Sequence, residues 1–129
     1  MKLVGHGIDI VEVSRIRQLL AKDRGDFEPA WFTSLEQEIA RQRPDLAIFY
    51  AGRCAAKEAV VKALGTGFAK GIAPTDIEVQ AQDSGAPLVV LSGDALAMAN
   101  QLGIGRWSLS ISHTEQQAIA TAIALQDDG

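Results

Sequence analysis

The sequence predicts an α+β fold, a single small domain whose mainly antiparallel sheet packs on one long helix. Three observations lead there. The elements follow the order strand, helices, long helix, hairpin, helix, hairpin, without the regular βαβ alternation of a parallel sheet. The longest periodic stretch, Leu46 to Leu64, sets Ala55, Ala56, Ala59, Val60, Ala63 and Leu64 on one broad apolar arc of a helix. The later period-two segments are joined in pairs by short turns, as hairpins are. At 129 residues and 47% apolar, the chain can bury one core and is too short for two full domains.

Lys2 to Val13 alternates as a strand, with Gly5, Gly7 and Asp9 on the face shared by Leu3 and Val11. A carboxylate beside two glycines leaves room for close approach, either by a ligand or by another backbone. His6 points the other way and is expected to be a packed core imidazole. Ser14 can cap a helix to about Lys22, with Ile16, Leu19 and Leu20 inward and Arg15, Arg17 and Lys22 outward. Phe27 to Phe32 reads as a short helical turn or loop with its aromatics inward.

Thr33 and Glu36 form a capping box for a short helix to about Gln42, which Pro44 ends. Asp45 then caps the long helix, and Gly65, Thr66 and Gly67 stop it in a loop with room for a ligand. Asp76 to Gln82 and Pro87 to Ser92 form a hairpin through Asp83-Ser84-Gly85-Ala86. Gly93 to Leu102 is helical, with Leu96 and Leu102 among its buried positions. Arg106 to His113 and Ala118 to Leu125 form the last hairpin, which turns through Thr114 to Gln117. Gly65, Gly67 and Gly71 follow a helix and miss the G-x-G-x-x-G spacing, so a dinucleotide-binding fold is excluded.

The net charge of −4, from 12 basic and 16 acidic residues, argues against general nucleic-acid binding. Local clusters (Arg15, Arg17, Lys22 and Arg24, then Arg41, Arg43, Arg53, Lys57 and Lys62) suit a specific anionic partner instead. No apolar run of ~18 residues and no secretory leader is readable, so the chain is expected to be cytoplasmic and not membrane-bound. Cys54, the one cysteine, has no internal disulfide partner and reads as a buried structural thiol.

Chemistry concentrates on the long helix. Glu58 and Lys62 stack one turn apart, and Arg53 and Lys57 form a second stripe. The first pair fits an ordinary Glu-to-Lys contact worth about 0.3 to 0.5 kcal/mol. Its Ala, Val and Cys neighbours would desolvate the carboxylate, which favours a strong partner such as a metal ion. His113 sits at a strand end, where the residues alone leave open an incidental histidine and a catalytic one.

Three stretches in this order closely resemble the holo-(acyl-carrier-protein) synthases, the short-chain branch of the 4′-phosphopantetheinyl transferases. They are GIDIVEVSRI from Gly7, FT-x-x-E from Phe32 followed by AGRCAAKEAVVKALGTG, and SISHT from Ser110. The resemblance implies a 4′-phosphopantetheinyl transferase-like fold and transfer of 4′-phosphopantetheine from coenzyme A to a serine of apo acyl carrier protein. Adenosine 3′,5′-bisphosphate is released, in service of fatty acid biosynthesis. It implies that Asp9 and Glu58 bind Mg²⁺, that Lys62 faces the phosphates, and that His113 and Thr114 close on the nucleotide side. It further implies Arg53 near the 3′-phosphate, Gly65 at the ligand end of the long helix, and Gly85 and Pro87 along the adenine. Arg15, assisted by Arg17, is expected to dock the carrier protein. Glu58, directly or through a bound water, is expected to take the serine proton.

The family is trimeric with sites at subunit interfaces, in keeping with a small sheet whose apolar edges stay uncovered. Departures from the family pattern are Ala86 in place of a basic residue, Arg41 and Arg43 cut off from the long helix by Pro44, and Cys54 in place of Phe. Two other classes share some of these residues. A Mg²⁺-dependent nucleotide phosphohydrolase would have no use for the basic helix, and a non-enzymatic coenzyme A or carrier-protein binding module would not need Asp9, Glu58 and Lys62 together.

Overall fold

Small residues set the architecture. β1 (Lys2–Glu12) pairs antiparallel with β5 (Gln117–Gln126), which pairs antiparallel with β4 (Arg106–His113), giving a sheet of order β1-β5-β4. Ala118, Ala120, Ala122 and Ala124 of β5 are buried on the same side of this sheet as Gly7. The helix α3 (Leu46–Leu64) packs there through Ala55, Ala56, Ala59 and Ala63. A Cβ on Gly5 would stand 2.0 Å from the Ala63 carbonyl oxygen, and one on Gly7 1.9 Å from that of Ala59. The close approach that the glycines permit is therefore made by the backbone of α3, and it sets Asp9 against that helix. The structure, a computed structural model, describes residues 1–127.

β1 departs from simple alternation. A register shift between Leu3 and Gly5 turns Leu3 out to solvent and packs Val4 on the core. His6, expected in the core, is exposed, because its face of β1 points away from α3. Ile8 and Ile10 share that outward face at 49% and 56% exposure, with Ile119 of β5 paired to Ile10.

β1 runs directly into α1 (Val13–Trp31), which starts one residue before the expected cap: Glu12 is the N-cap, and its side chain makes no capping bond but accepts from Gln117 Nε2 at 2.7 Å. The Val13 N–H is satisfied instead by the Gln116 carbonyl at 2.9 Å, so the turn before β5 does the capping that Ser14 was expected to do. Non-helical angles at Asp23 kink α1 just beyond Lys22, and the chain continues helically through Trp31. Phe27 and Phe32 are buried as expected, and Phe32 stacks on Tyr50 of α3 at 3.9 Å between centroids.

α2 (Ser34–Ala40) carries the expected capping box of Thr33 and Glu36, and α3 carries the expected Asp45 cap, accepting from the Ile48 N–H at 3.1 Å. Gly65 ends α3 in the left-handed region at φ 81°, as a residue without Cβ can. A 3₁₀ turn (Pro74–Asp76) leads into the hairpin of β2 (Ile77–Ala81) and β3 (Pro87–Leu91), a separate two-stranded sheet. α4 (Gly93–Gln101) corrects an expectation: Leu96 and the following Leu102 are 42% and 40% exposed. Ala95 and Ala99 are the buried pair, one turn apart, and their short side chains bring the helix close to the core. Among the described residues no helix is long and apolar enough to cross a membrane.

Candidate active site

Two concavities flank α3. The first is a groove of about 680 Å³ lined by Asp9 from β1, Arg15 from α1, and Glu58 and Lys62 from α3, with Ile16, Phe27, Trp31 and Cys54 among its apolar walls. Asp9 and Glu58, 49 positions apart in sequence, meet here because β1 lies against α3 at its glycines. The Lys62 ammonium donates to Asp9 Oδ1 at 2.9 Å and to the Ile8 carbonyl at 3.0 Å. The cation that helical spacing offered to Glu58 thus reaches across to the strand.

Burial pushes the Glu58 carboxyl above its ordinary value, the Asp9 charge pushes it further, and Lys62 and Arg15 pull it back. Two acids and two bases therefore share one field. Among the described residues no third His, Cys, Asp or Glu joins the two acids as a ready-made metal cage. Cys54 lies one turn before Glu58, only 5% exposed, its thiol pushed up to about 12 mainly by burial, as a structural thiol is expected to be.

The second concavity, about 520 Å³, is lined by Arg43, Phe49, Arg53, Gly85, Pro87 and His113, with Asp45 and Ile111 also on its wall. It brings together four residues expected at the nucleotide end: Arg53, Gly85, Pro87 and His113. The Arg53 guanidinium lies over the Phe49 ring at 4.5 Å and Arg43 lies over the same ring at 5.3 Å. Arg53 Nε is buried without a hydrogen-bond partner among the described residues, and burial is the main cause that lowers its pKa. A desolvated guanidinium facing a cavity is suited to an anion.

Thr114 and Gly65 line neither concavity. The Thr114 hydroxyl accepts from the Gln116 and Gln117 N–H groups at 3.2 and 3.1 Å, shaping the turn that follows His113. Arg17 is bonded to Asp45 at 2.7 Å, so it faces the N-terminus of α3 and not the groove that Arg15 lines. Residues two apart on a helix point to different sides.

Sequence reasoning missed Lys57 as a buried group. It and Glu36 are both fully buried and bonded at 2.7 Å, and Lys57 also donates to the Pro74 and Ile77 carbonyls at 3.0 and 2.6 Å. Its place among Ala56, Ala59, Val60 and Val61 was a visible signal of burial. The partner, 21 residues earlier, was not visible. Arg43 and Phe49 were also missed as neighbours of Arg53, since spacing does not show that the segment before Pro44 folds back onto the helix.

A β1–α3 junction carrying two acids and a lysine, with an anion-suited cavity across the helix, belongs to the 4′-phosphopantetheinyl transferase superfamily, whose family model matches residues 5–122 of this chain. Within it the chain is similar to the holo-(acyl-carrier-protein) synthase of Hydrogenovibrio crunogenus, 43% identical over 122 residues, which are 95% of this chain and 96% of the relative. The crystal structure of the Neisseria meningitidis holo-(acyl-carrier-protein) synthase superposes with a TM-score of 0.88 at 32% identity, covering 97% of this chain and all of that one. The Helicobacter pylori enzyme, solved in complex with coenzyme A, gives 0.82 at 31% identity, covering 93% of this chain and 99% of that one. The α+β fold expected from element order and the family expected from the three motifs both hold.

Proposed function

We infer that this chain transfers the 4′-phosphopantetheine group of coenzyme A to a serine of an apo acyl carrier protein. The observation that carries the reading is the convergence of Asp9, Glu58 and Lys62 in one groove, supported by the Helicobacter relative's complex with coenzyme A. The serine oxygen attacks the phosphorus that bears pantetheine. The bond from that phosphorus to the bridging oxygen breaks, and adenosine 3′,5′-bisphosphate leaves with the electron pair.

Glu58 accepts the serine proton, a role helped by a carboxyl held above its ordinary value. Lys62, half exposed at the mouth of the groove, offsets charge on the leaving phosphate. Arg53, with His113 and the Gly85–Pro87 turn, holds the nucleotide end, where a guanidinium fork suits the 3′-phosphate. Asp9 and Glu58 fit Mg²⁺: two mutually repelling carboxylates, with no third His, Cys, Asp or Glu grouped with them among the described residues, would suit an ion completed by substrate phosphates and water. When bound, Mg²⁺ supplies Lewis-acid charge neutralisation at the pyrophosphate. Arg15 docks the acidic carrier, with Arg17 held further round the helix by Asp45.

The two half-sites lie in different concavities of one chain, and the outward face of β1 and β5 leaves Ile8, Ile10 and Ile119 exposed. Both features support a homotrimer in which a working site joins the acid half of one subunit to the nucleotide half of its neighbour. A single cysteine without an internal disulfide is consistent with a cytoplasmic enzyme.

The test is incubation with coenzyme A, Mg²⁺ and apo carrier protein, read by mass spectrometry for phosphopantetheine on the carrier serine. Hydrolysis of coenzyme A without transfer would make the chain a phosphohydrolase, and binding without chemistry a binding module. Glu58→Gln is expected to cut transfer by about 10² to 10⁴-fold with a native thermal melt. Near-normal turnover in this variant would remove Glu58 as the base.

A further inference from the structure

The three protons of the Lys57 ammonium are all accounted for, and none goes to a ligand. They are donated to Glu36 Oε1 and to the carbonyls of Pro74 and Ile77, which bracket the 3₁₀ turn feeding β2. Glu36 is satisfied in turn: Oε1 also accepts the Thr33 N–H at 2.9 Å, and Oε2 accepts the Val79 N–H of β2 at 2.9 Å. The network reaches outward through Thr33 Oγ1, which donates to Glu78 Oε2 at 2.6 Å. Desolvation lowers the Lys57 pKa and the Glu36 charge opposes it, so removing either partner alone leaves the other buried without its main contact. An arrangement this expensive to bury fixes geometry more than it adds stability.

What it fixes is the seat of the β2–β3 hairpin on α3. The hairpin's far end carries Gly85 and Pro87, one wall of the second concavity. Arg53, one helical turn before Lys57, is the facing wall. Resting on the transferase reading above, we propose that Lys57, through Glu36, is a positioning residue that sets the width of the nucleotide cavity between the hairpin turn and Arg53 without touching substrate.

The proposal separates coenzyme A recognition from the acid groove, which the pair does not line. Its test is steady-state transfer by Glu36→Gln and by the double variant Glu36→Leu with Lys57→Met. The double variant removes both charges together and leaves neither one buried alone. Thermal melts are taken alongside, and coenzyme A and carrier protein are varied separately. The expected result is a native-like melt for the double variant, with the KM for coenzyme A raised about tenfold and kcat and the KM for carrier protein little changed.

A double variant with native KM for coenzyme A overturns the proposal, because the tether would then be dispensable. Equal losses in both KM values and kcat, or failure of both variants to fold, also overturn it and leave the pair as a folding element. Absence of transfer by the unaltered chain would fail the transferase reading itself, which keeps the two failures apart.

Discussion

The acid groove and the nucleotide cavity are lined by different residues on opposite sides of the same helix, and they are built in different ways. The groove takes its chemistry from regular elements, with Asp9 on β1 and Glu58 and Lys62 on α3, fixed by a helix resting on two glycines. The cavity sets element ends (a hairpin turn, the end of β4 and the segment before α3) against Arg53 from the middle of α3, whose Nε has no hydrogen-bond partner among the described residues. Reacting atoms demand the stiffer mount, since a misplacement of about 1 Å can cost on the order of 100-fold in rate. In the proposed transferase, a nucleotide held by stacking and charge tolerates a looser one.

The largest expected effect breaks the comparison by asking whether one chain uses both halves. Asp9→Asn and Arg53→Ala are each expected to lose most transfer activity. If the site is shared between neighbours, mixing the two unfolded variants and refolding them together restores about a quarter of native turnover by random assembly of the closed ring. No recovery would place both halves of the site within a single subunit.

Next in size is the mount itself. Gly7→Ala puts a methyl within 1.9 Å of the Ala59 carbonyl oxygen, so strand and helix must part. We expect a loss of at least about 2 kcal/mol in urea unfolding. Near the acid groove, the residual folded enzyme should lose kcat before it loses coenzyme A affinity, because Asp9 moves with β1 while the nucleotide cavity is lined from elsewhere. An Ala variant with native stability would show that the glycine seat is not what brings Asp9 to Glu58.

This seat marks the limit of what the sequence made legible. Boundaries of α3, its Asp45 cap and its Gly65 stop were readable because each is a local matter of spacing and capping chemistry. The convergence of Asp9, Glu58 and Lys62 was readable only through the family resemblance, since residues alone left open whether a ligand or a backbone approached Gly5 and Gly7. His6 was misplaced because alternation assigns faces but not which face is covered, and Leu3 because a bulge moves the register. Leu96 was misplaced for a related reason: the helix packs by its alanines, where closeness outweighs side-chain size. Lys57 was read only as part of a second stripe with Arg53, since its partner Glu36 comes from another helix.

A smaller effect sharpens the comparison through pH. Glu58, raised by burial and by Asp9, binds its proton more tightly folded than unfolded. Its charged form is therefore a cost to the folded state, absent below the ordinary carboxylate range and complete above the raised value. Glu58→Gln should accordingly melt at or above the native temperature at neutral pH, with the difference vanishing in acid. A variant less stable than native at neutral pH would mean that the ionised carboxyl is satisfied in the folded chain.

The finest distinction lies within the basic helix. Arg15 lines the acid groove and lowers the Glu58 pKa by its charge, whereas Arg17 is spent on Asp45 at the start of α3. Arg15→Glu should weaken carrier binding about tenfold, an effect that fades at high salt, with a smaller change in the KM for coenzyme A. It should also move the acid limb of the kcat profile upward, since a third carboxylate beside Glu58 disfavours its ionisation. Arg17→Glu should leave that limb where it is and lower the melting temperature slightly through the lost contact with Asp45. Equal shifts of the limb in both variants would mean that the two arginines share one field, and the division of labour between the faces of α1 would fall.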